Sequence, residues 1–173
     1  DHNTQAIPQS ALTAIEKLQH AGNTVVIATG RCFEHAKPFI DQIQPSYAIT
    51  QNGARIYQGE QAVFGKPLAR EALIDLLTWV HDQGHHFGFN VGKIGYLSKI
   101  IPTTVEPLGI VGIEARLDIG LYRQQDIYQA WLFFDESLDA TLMPIILQQH
   151  PEFDIVRWHK MAVDVLNKSV NKW

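Results

Sequence analysis

The sequence predicts an α/β protein in which a partial, doubly wound parallel sheet is interrupted by an inserted α+β unit. Three observations carry that prediction. Helical stripes alternate with short apolar runs over the first third of the chain. The run Thr24-Val25-Val26-Ile27-Ala28 is β-branched and lacks polar alternation, as in a parallel strand covered on both faces. From about Gln58 the texture changes, and it reverts only at Ala162 to Leu166.

Each element has a local reason. Residues 7–22 place Ala11, Leu12, Ala14, Ile15 and Leu18 at helical spacing, with Pro8 in the first turn and Gly22 just past the end. The strand at 24–28 follows and is broken by Thr29-Gly30-Arg31. A second helix then carries Phe33, Ala36, Phe39, Ile40 and Ile43 on one face and stops before Pro45. Tyr47-Ala48-Ile49-Thr50 is the next strand, closed by the turn Asn52-Gly53-Ala54.

Beyond Gln58, Pro67 opens a helix whose stripe runs through Leu68, Ala72, Leu73, Leu76, Leu77 and Val80, and Gly84 ends it. Short strands are expected at 87–91, 127–134 and 153–158, with a helix at 138–149. Residues 98–123, punctuated by Pro102, Pro107, Gly109, Gly112 and Gly120, assign no element. Helices are expected on one face of this unit's sheet, while Ala162 to Leu166 rejoins the parallel sheet. The expected division is 1–60 for the first part of the core, 61–159 for the inserted unit and 160–173 for the return.

Composition narrows the function. The 173 residues are 46% hydrophobic and 18% charged, which suits a globular core rather than a disordered chain. With 14 basic and 18 acidic residues the net charge is −4, and no basic run forms a nucleic-acid footprint. No apolar stretch approaches the ~18 residues of a membrane span. A single cysteine, Cys32, forms no internal disulfide, so a reducing cytoplasm is the expected compartment. Nothing in the sequence sets an oligomeric state.

The segment Val25 to Arg31 is the most informative. A parallel strand ending in a hydroxyl residue and a glycine before a helix gathers a hydroxyl, bare backbone N–H groups and a helix N-terminus at the sheet edge, which suits phosphate. A plain tight turn with a solvated Arg31 satisfies the same residues, and on those residues alone both readings stay open. His81, Asp82, His85 and His86 invite a metal reading, but Gly84 interrupts the helix between them and no third ligand is ordered. Cys32 beside His35 resembles a nucleophilic dyad without any glycine cradle, which favours a half-buried helix residue. Trp79, Trp131 and Trp158 fall on apolar faces and read as core of the inserted unit. There is no Gly-x-Gly-x-x-Gly and no Walker motif.

The stretches "AIEKLQHAGNTVVIATGR" and "AITQNGA", within Ile7 to Gly53, resemble the second-motif region of the haloacid dehalogenase (HAD) phosphatase superfamily, in its Cof-like branch with a C2-type α+β cap. The resemblance implies a HAD-like Rossmannoid core and a substrate-selecting cap. It implies that Thr29 and the Gly30 amide bind the transferring phosphoryl group and that Arg31 lies at the pocket edge. Asn52-Gly53-Ala54 would lie near the start of the cap, which adds Asn52 and Gly53 to the substrate-binding set. "AVDVLNKSVNKW" looks like the third motif, whose lysine is Lys172 by register, with Lys168 the second choice.

Two motifs of that family are missing from these residues, the Asp-x-Asp nucleophile segment and the acidic fourth motif, so the chain is expected to be truncated at both ends. The resemblance then implies a phosphatase of small phosphorylated metabolites, such as sugar phosphates or a phosphorylated cofactor. The aspartyl-phosphate nucleophile and the Mg2+ ligands would lie outside the given residues. The alternative is a non-catalytic phosphometabolite-binding or regulatory module that keeps the phosphate cradle alone.

Overall fold

The computed structural model describes residues 6–170, which fall into two compact units, the sequence dividing between Gly65 and Lys66.

The first unit begins with helix α1 (Gln9–His20), which follows Pro8 at its N-cap and is closed after Ala21 by Gly22 at φ +82°. Strand β1 (Val26–Ala28), helix α2 (Phe33–Ile43) and strand β2 (Tyr47–Thr50) form a crossover unit, with β1 and β2 parallel in the register Val26 to Tyr47 and Ala28 to Ile49. A short 3-10 turn at Gln51–Gly53 leads into the antiparallel strands β3 (Arg55–Gln58) and β4 (Gln61–Gly65), giving the order β1-β2-β3-β4. Ala36 and Ile40 of α2 pack on Ala48 and Tyr57, and the Phe33 ring stacks on Tyr57 at 4.1 Å between centroids. This small core fixes α2 over the sheet, and with it the start of α2 beside the end of β1.

Two expectations are corrected in this unit. The run at 24–28 is not covered on both faces: β1 ends the sheet with one neighbouring strand among the described residues, and Val26 is 44% exposed. Its β-branched composition specifies an extended backbone, whereas coverage depends on neighbours that composition does not report. The β3–β4 hairpin pairs with β2, so the boundary lies after Gly65 rather than after residue 60.

The second unit contains helices α3 (Arg70–Asp82), α4 (Pro102–Ile110) and α5 (Asp139–Gln149). Its six strands are β5 (His86–Val91), β6 (Ile94–Leu97), β7 (Glu114–Leu117), β8 (Ala130–Phe133), β9 (Phe153–His159) and β10 (Ala162–Asn167), in the order β7-β6-β5-β8-β10-β9. Only the β6–β7 pair is parallel. Strand alternation divides the core in two. Phe87, Phe89, Ala130, Leu132, Val163 and Val165 pack with Leu73, Leu76, Leu77 and Val80 of α3 and Ile146 of α5. Leu97, Trp131, Phe133 and Ala162 pack with Leu108 of α4. Helices therefore cover both faces, not one. Arg157 ties α5 to the sheet: its Nε donates to both Asp139 carboxylate oxygens, at 2.9 and 2.7 Å, and its Nη1 donates to the His159 carbonyl at 2.9 Å.

The expected return of Ala162 to Leu166 to the parallel sheet is also corrected. β10 pairs antiparallel with β8 and β9, Val163 facing Leu132 on one side and Arg157 on the other, so residues 160–170 belong to the second unit. A continuous apolar strand is equally the signature of an interior antiparallel strand clad by helices on both faces. The stretch left without elements, 98–123, holds β6's exit, α4 and β7. Pro102 occupies the first turn of α4, where a missing N–H costs nothing, and Pro107 is tolerated farther along the same short helix. Trp131 is buried, and Trp79 and Trp158 pack against the two clusters as expected of core residues.

Gly88 is a tight spot in this sheet. A Cβ there would meet Leu97 Cδ2 at 2.7 Å and the Tyr96 carbonyl oxygen at 2.9 Å, the latter being backbone that cannot swing away. Gly88→Ala is expected to lower unfolding stability by about 1–3 kcal/mol, measured by urea denaturation; an unchanged midpoint would contradict the packing described.

Candidate functional site

The first unit gathers five of the expected site residues, Thr29, Gly30, Arg31, Asn52 and Gly53, in one loop and the segment that locks it. β1 continues by one hydrogen bond past its end, Thr29 N–H donating to the Ile49 carbonyl at 2.9 Å, and the chain then turns through Gly30 and Arg31 to Cys32, the N-cap of α2. Thr29 Oγ1 accepts from the Arg31 N–H at 3.2 Å, which closes the turn upon itself and leaves the hydroxyl proton to point elsewhere. Gly30 N–H makes no hydrogen bond among the described residues. The first N–H groups of α2, lacking partners within the helix, lie just beyond it.

The segment after β2 locks this loop. Gln51 N–H donates to the Arg31 carbonyl at 2.9 Å and Asn52 N–H to the Thr29 carbonyl at 3.1 Å. To present both donors, Gln51, Asn52 and Gly53 adopt φ of 48°, 56° and 106°, three successive left-handed residues of which only one is glycine. Such backbone costs on the order of 1 kcal/mol or more per non-glycine residue and persists only where its surroundings demand it. The Asn52 amide also lies against Gly30, where an added Cβ would stand 3.0 Å from Asn52 Oδ1. Glycine at position 30 is thus favoured by closeness to the Asn52 side chain, not by φ.

Arg31 is half-buried with its guanidinium 5.7 Å from the Phe39 ring centroid. Among the described residues no carboxylate belongs to the loop: Glu34 is exposed on α2, and Asp41 pairs with Lys37 at 3.0 Å. Cys32 is buried rather than half-buried, its Sγ 3.2 Å from His35 Nδ1, and burial pushes its thiol up from the ordinary 9.0 to about 11. A neutral thiol is a poor nucleophile, so the Cys32–His35 pair is a packing contact.

Of the lysines expected at the site, Lys172 is outside the described residues, and Lys168 is exposed in the turn after β10, its N–H donating to the Glu152 carbonyl. His81 and His85 spend their rings on Phe87 and Phe134, and no cluster of three His, Cys, Asp or Glu side chains suited to a metal occurs among the described residues. Gln51 was not anticipated. Its signal was faint, a polar residue before Asn-Gly that is nevertheless 5% exposed.

Comparison with known proteins gives this loop a context. The family described as haloacid dehalogenase-like hydrolase matches residues 1–173. YkrA of Bacillus subtilis strain 168, named provisionally as a phosphatase, is 28% identical over 169 residues, covering 96% of this chain and 63% of YkrA. A Streptococcus pyogenes serotype M6 protein, named provisionally as a bifunctional phosphatase and peptidyl-prolyl cis-trans isomerase, is 24% identical over 98% of this chain and 36% of its own length. Among solved structures, a hypothetical protein from Geobacillus kaustophilus HTA426 superposes with a TM-score of 0.83 at 27% identity, covering 98% of this chain and 65% of that one. BT1666 from Bacteroides thetaiotaomicron, a phosphatase of the HAD superfamily, shares the fold with a TM-score of 0.85 at 21% identity, over 99% of this chain and 64% of its own. The chain thus spans less than two thirds of the length of these relatives. A family match along its whole length, together with the parallel β1–β2 pair and the loop at its end, leads to one conclusion: the chain belongs to the haloacid dehalogenase-like hydrolase family.

Proposed function

We propose that the full-length protein hydrolyses small phosphorylated metabolites, sugar phosphates or a phosphorylated cofactor, with the loop Thr29-Gly30-Arg31 as its phosphate cradle. The observation that carries this reading is the unpartnered Gly30 N–H beside the Thr29 hydroxyl, on a loop held by Gln51 and Asn52. The provisional name of YkrA and the description of the fold neighbour BT4131 as a sugar phosphatase support it.

In this reading a carboxylate attacks phosphorus in line with the leaving oxygen, the ester oxygen departs with a proton, and water then cleaves the aspartyl-phosphate to phosphate. The Thr29 hydroxyl and Gly30 N–H donate to the non-bridging oxygens as their charge redistributes, Arg31 adds positive potential at the rim, and Lys172 neutralises the nucleophile and phosphate. Positioning and charge stabilisation of this kind supply most of the catalysis in phosphoryl transfer. Asn52 and Gly53 act by keeping the cradle in place. A magnesium ion asks for oxygen ligands with carboxylates among them, and hydroxyl, amides and guanidinium do not form such a set. The described loop residues therefore do not fit Mg2+; its ligands belong to the rest of the protein. The second unit serves as the cap that selects the substrate, and the protein works in the cytoplasm. No described helix is long and apolar enough to cross a membrane.

Two outcomes test the reading, and a third tests the burial of Cys32 beside the loop. Thr29→Val in the full-length protein keeps the β-branched shape and removes one donor, so turnover of a sugar phosphate should fall by about 10²–10³-fold; undiminished turnover would reduce Thr29 to a turn residue. The 173 residues alone should fail to hydrolyse an aryl phosphate with magnesium while the full-length protein succeeds, whereas failure by both would favour the non-catalytic binding module. For Cys32, the raised value means that folding favours the neutral thiol. That contribution is complete below pH 9.0 and is lost as pH rises through about 11. Native protein should accordingly resist iodoacetamide at pH 8 and become alkylated as pH approaches that value, read by mass spectrometry; rapid labelling at pH 8 would contradict the burial.

A further inference from the structure

The outer side of β7 carries an unspent set of backbone groups. β7 ends the six-stranded sheet, with only β6 beside it among the described residues. Its parallel pairing with β6 makes successive residues direct their N–H and C=O groups to opposite sides. Asp118 N–H donates to the Leu97 carbonyl at 3.1 Å, which turns Glu114, Arg116 and Asp118 toward β6. Ala115 and Leu117 therefore present their N–H and C=O outward, as Ile113 does its C=O.

Apolar side chains are exposed along the same edge. Leu117 is 66% exposed and Ile119 63%, the two highest values among the large hydrophobic side chains described. Single exposed apolar residues are ordinary, but these two lie two residues apart at the end of an open edge strand and line one groove. That groove is shallow and is lined also by Ser98 and Leu121.

What fits this edge is written in its sequence, Ile113-Glu114-Ala115-Arg116-Leu117, which reads apolar, acidic, small, basic, apolar in one direction and apolar, basic, small, acidic, apolar in the other, so that it complements an antiparallel copy of itself. We propose that two copies of this chain associate by antiparallel pairing of their β7 edges about a two-fold axis at Ala115. Each Glu114 then faces the partner's Arg116, and each Ile113 faces the partner's Leu117. Ala115 N–H donates to the carbonyl of the partner's Ala115, and Leu117 N–H to that of the partner's Ile113, each bond made twice by symmetry. Charged residues on an edge strand commonly discourage pairing. Here the two signs are placed symmetrically about a small residue, so a second copy meets attraction where a blocking edge would meet its own charge. Within one copy Arg116 Nη2 already lies 2.9 Å from Glu114 Oε1, but both side chains are more than half exposed, so exchanging that contact for one across the axis costs little.

The test is sedimentation velocity on the full-length protein, with circular dichroism to show that each variant is folded. The wild type should show a concentration-dependent monomer–dimer equilibrium. R116E places acidic side chains opposite one another twice and should weaken association by roughly tenfold or more. The double exchange E114R/R116E restores the charge complementarity with its signs exchanged and should restore the dimer. L117K, on the other face of the strand, should independently give monomers and serves if R116E is misfolded. A wild type that stays monomeric up to roughly 200 μM, where a dissociation constant in the micromolar range would show, overturns the proposal. So does a dimer that both R116E and L117K leave intact, or one lost in R116E and not recovered by the double exchange. The readout does not depend on catalysis.

Discussion

Two backbone hydrogen bonds carry the candidate site: Gln51 to the Arg31 carbonyl and Asn52 to the Thr29 carbonyl. They join the ends of two parallel neighbours, so the loop after β1 is shaped by the turn after β2 as much as by its own sequence. Without them Gly30 would be one more glycine in a flexible connection. With them its amide has a fixed direction, and the strain of three left-handed residues is the counterpart of that rigidity. A small core of Ala36, Ile40, Ala48 and Tyr57 backs the arrangement from behind, since it holds α2 at the level where β1 ends.

Much of the first unit was legible because each element carries its own punctuation. Pro8 and Gly22 bracket α1, the β-branched run marks β1, and Asn-Gly announces the turn after β2. What could not be read was neighbourhood. Val25 to Ala28 has the composition of a covered strand, yet coverage is a property of the sheet around it, and Val26 is exposed in the described structure. Val163 and Val165 give the opposite case: they looked buried and are buried, but in a different sheet. Hydrophobic runs report how much covering a strand needs and not who provides it.

The candidate site divides along the same line. Thr29, Gly30 and Arg31 were visible as a strand, a hydroxyl and a glycine before a helix, whereas Gln51 acts through its backbone, which no side-chain motif encodes. In the second unit, 98–123 defied assignment because Pro102 and Pro107 suggested loops while lying in α4. Proline at a helix start is a helix signal only once the rest of the helix is recognised, and a helix this short has little stripe to recognise.

The position of β10 has a consequence for how the second unit is made. It is the last of the described strands and yet an interior strand of the sheet, inserted between β8 and β9. While the chain is emerging from the ribosome, β5, β6, β7 and β8 can assemble on α3 and α4, but β9 has no neighbour to join until β10 is available. Arg157 cannot draw α5 onto a finished sheet before then, and the apolar faces of Val163 and Val165 arrive last, at the centre of the core they complete. The unit must wait with an open seam through most of its synthesis, and closure comes as a single late step from a hairpin whose local pairing forms quickly and whose docking against β8 does not.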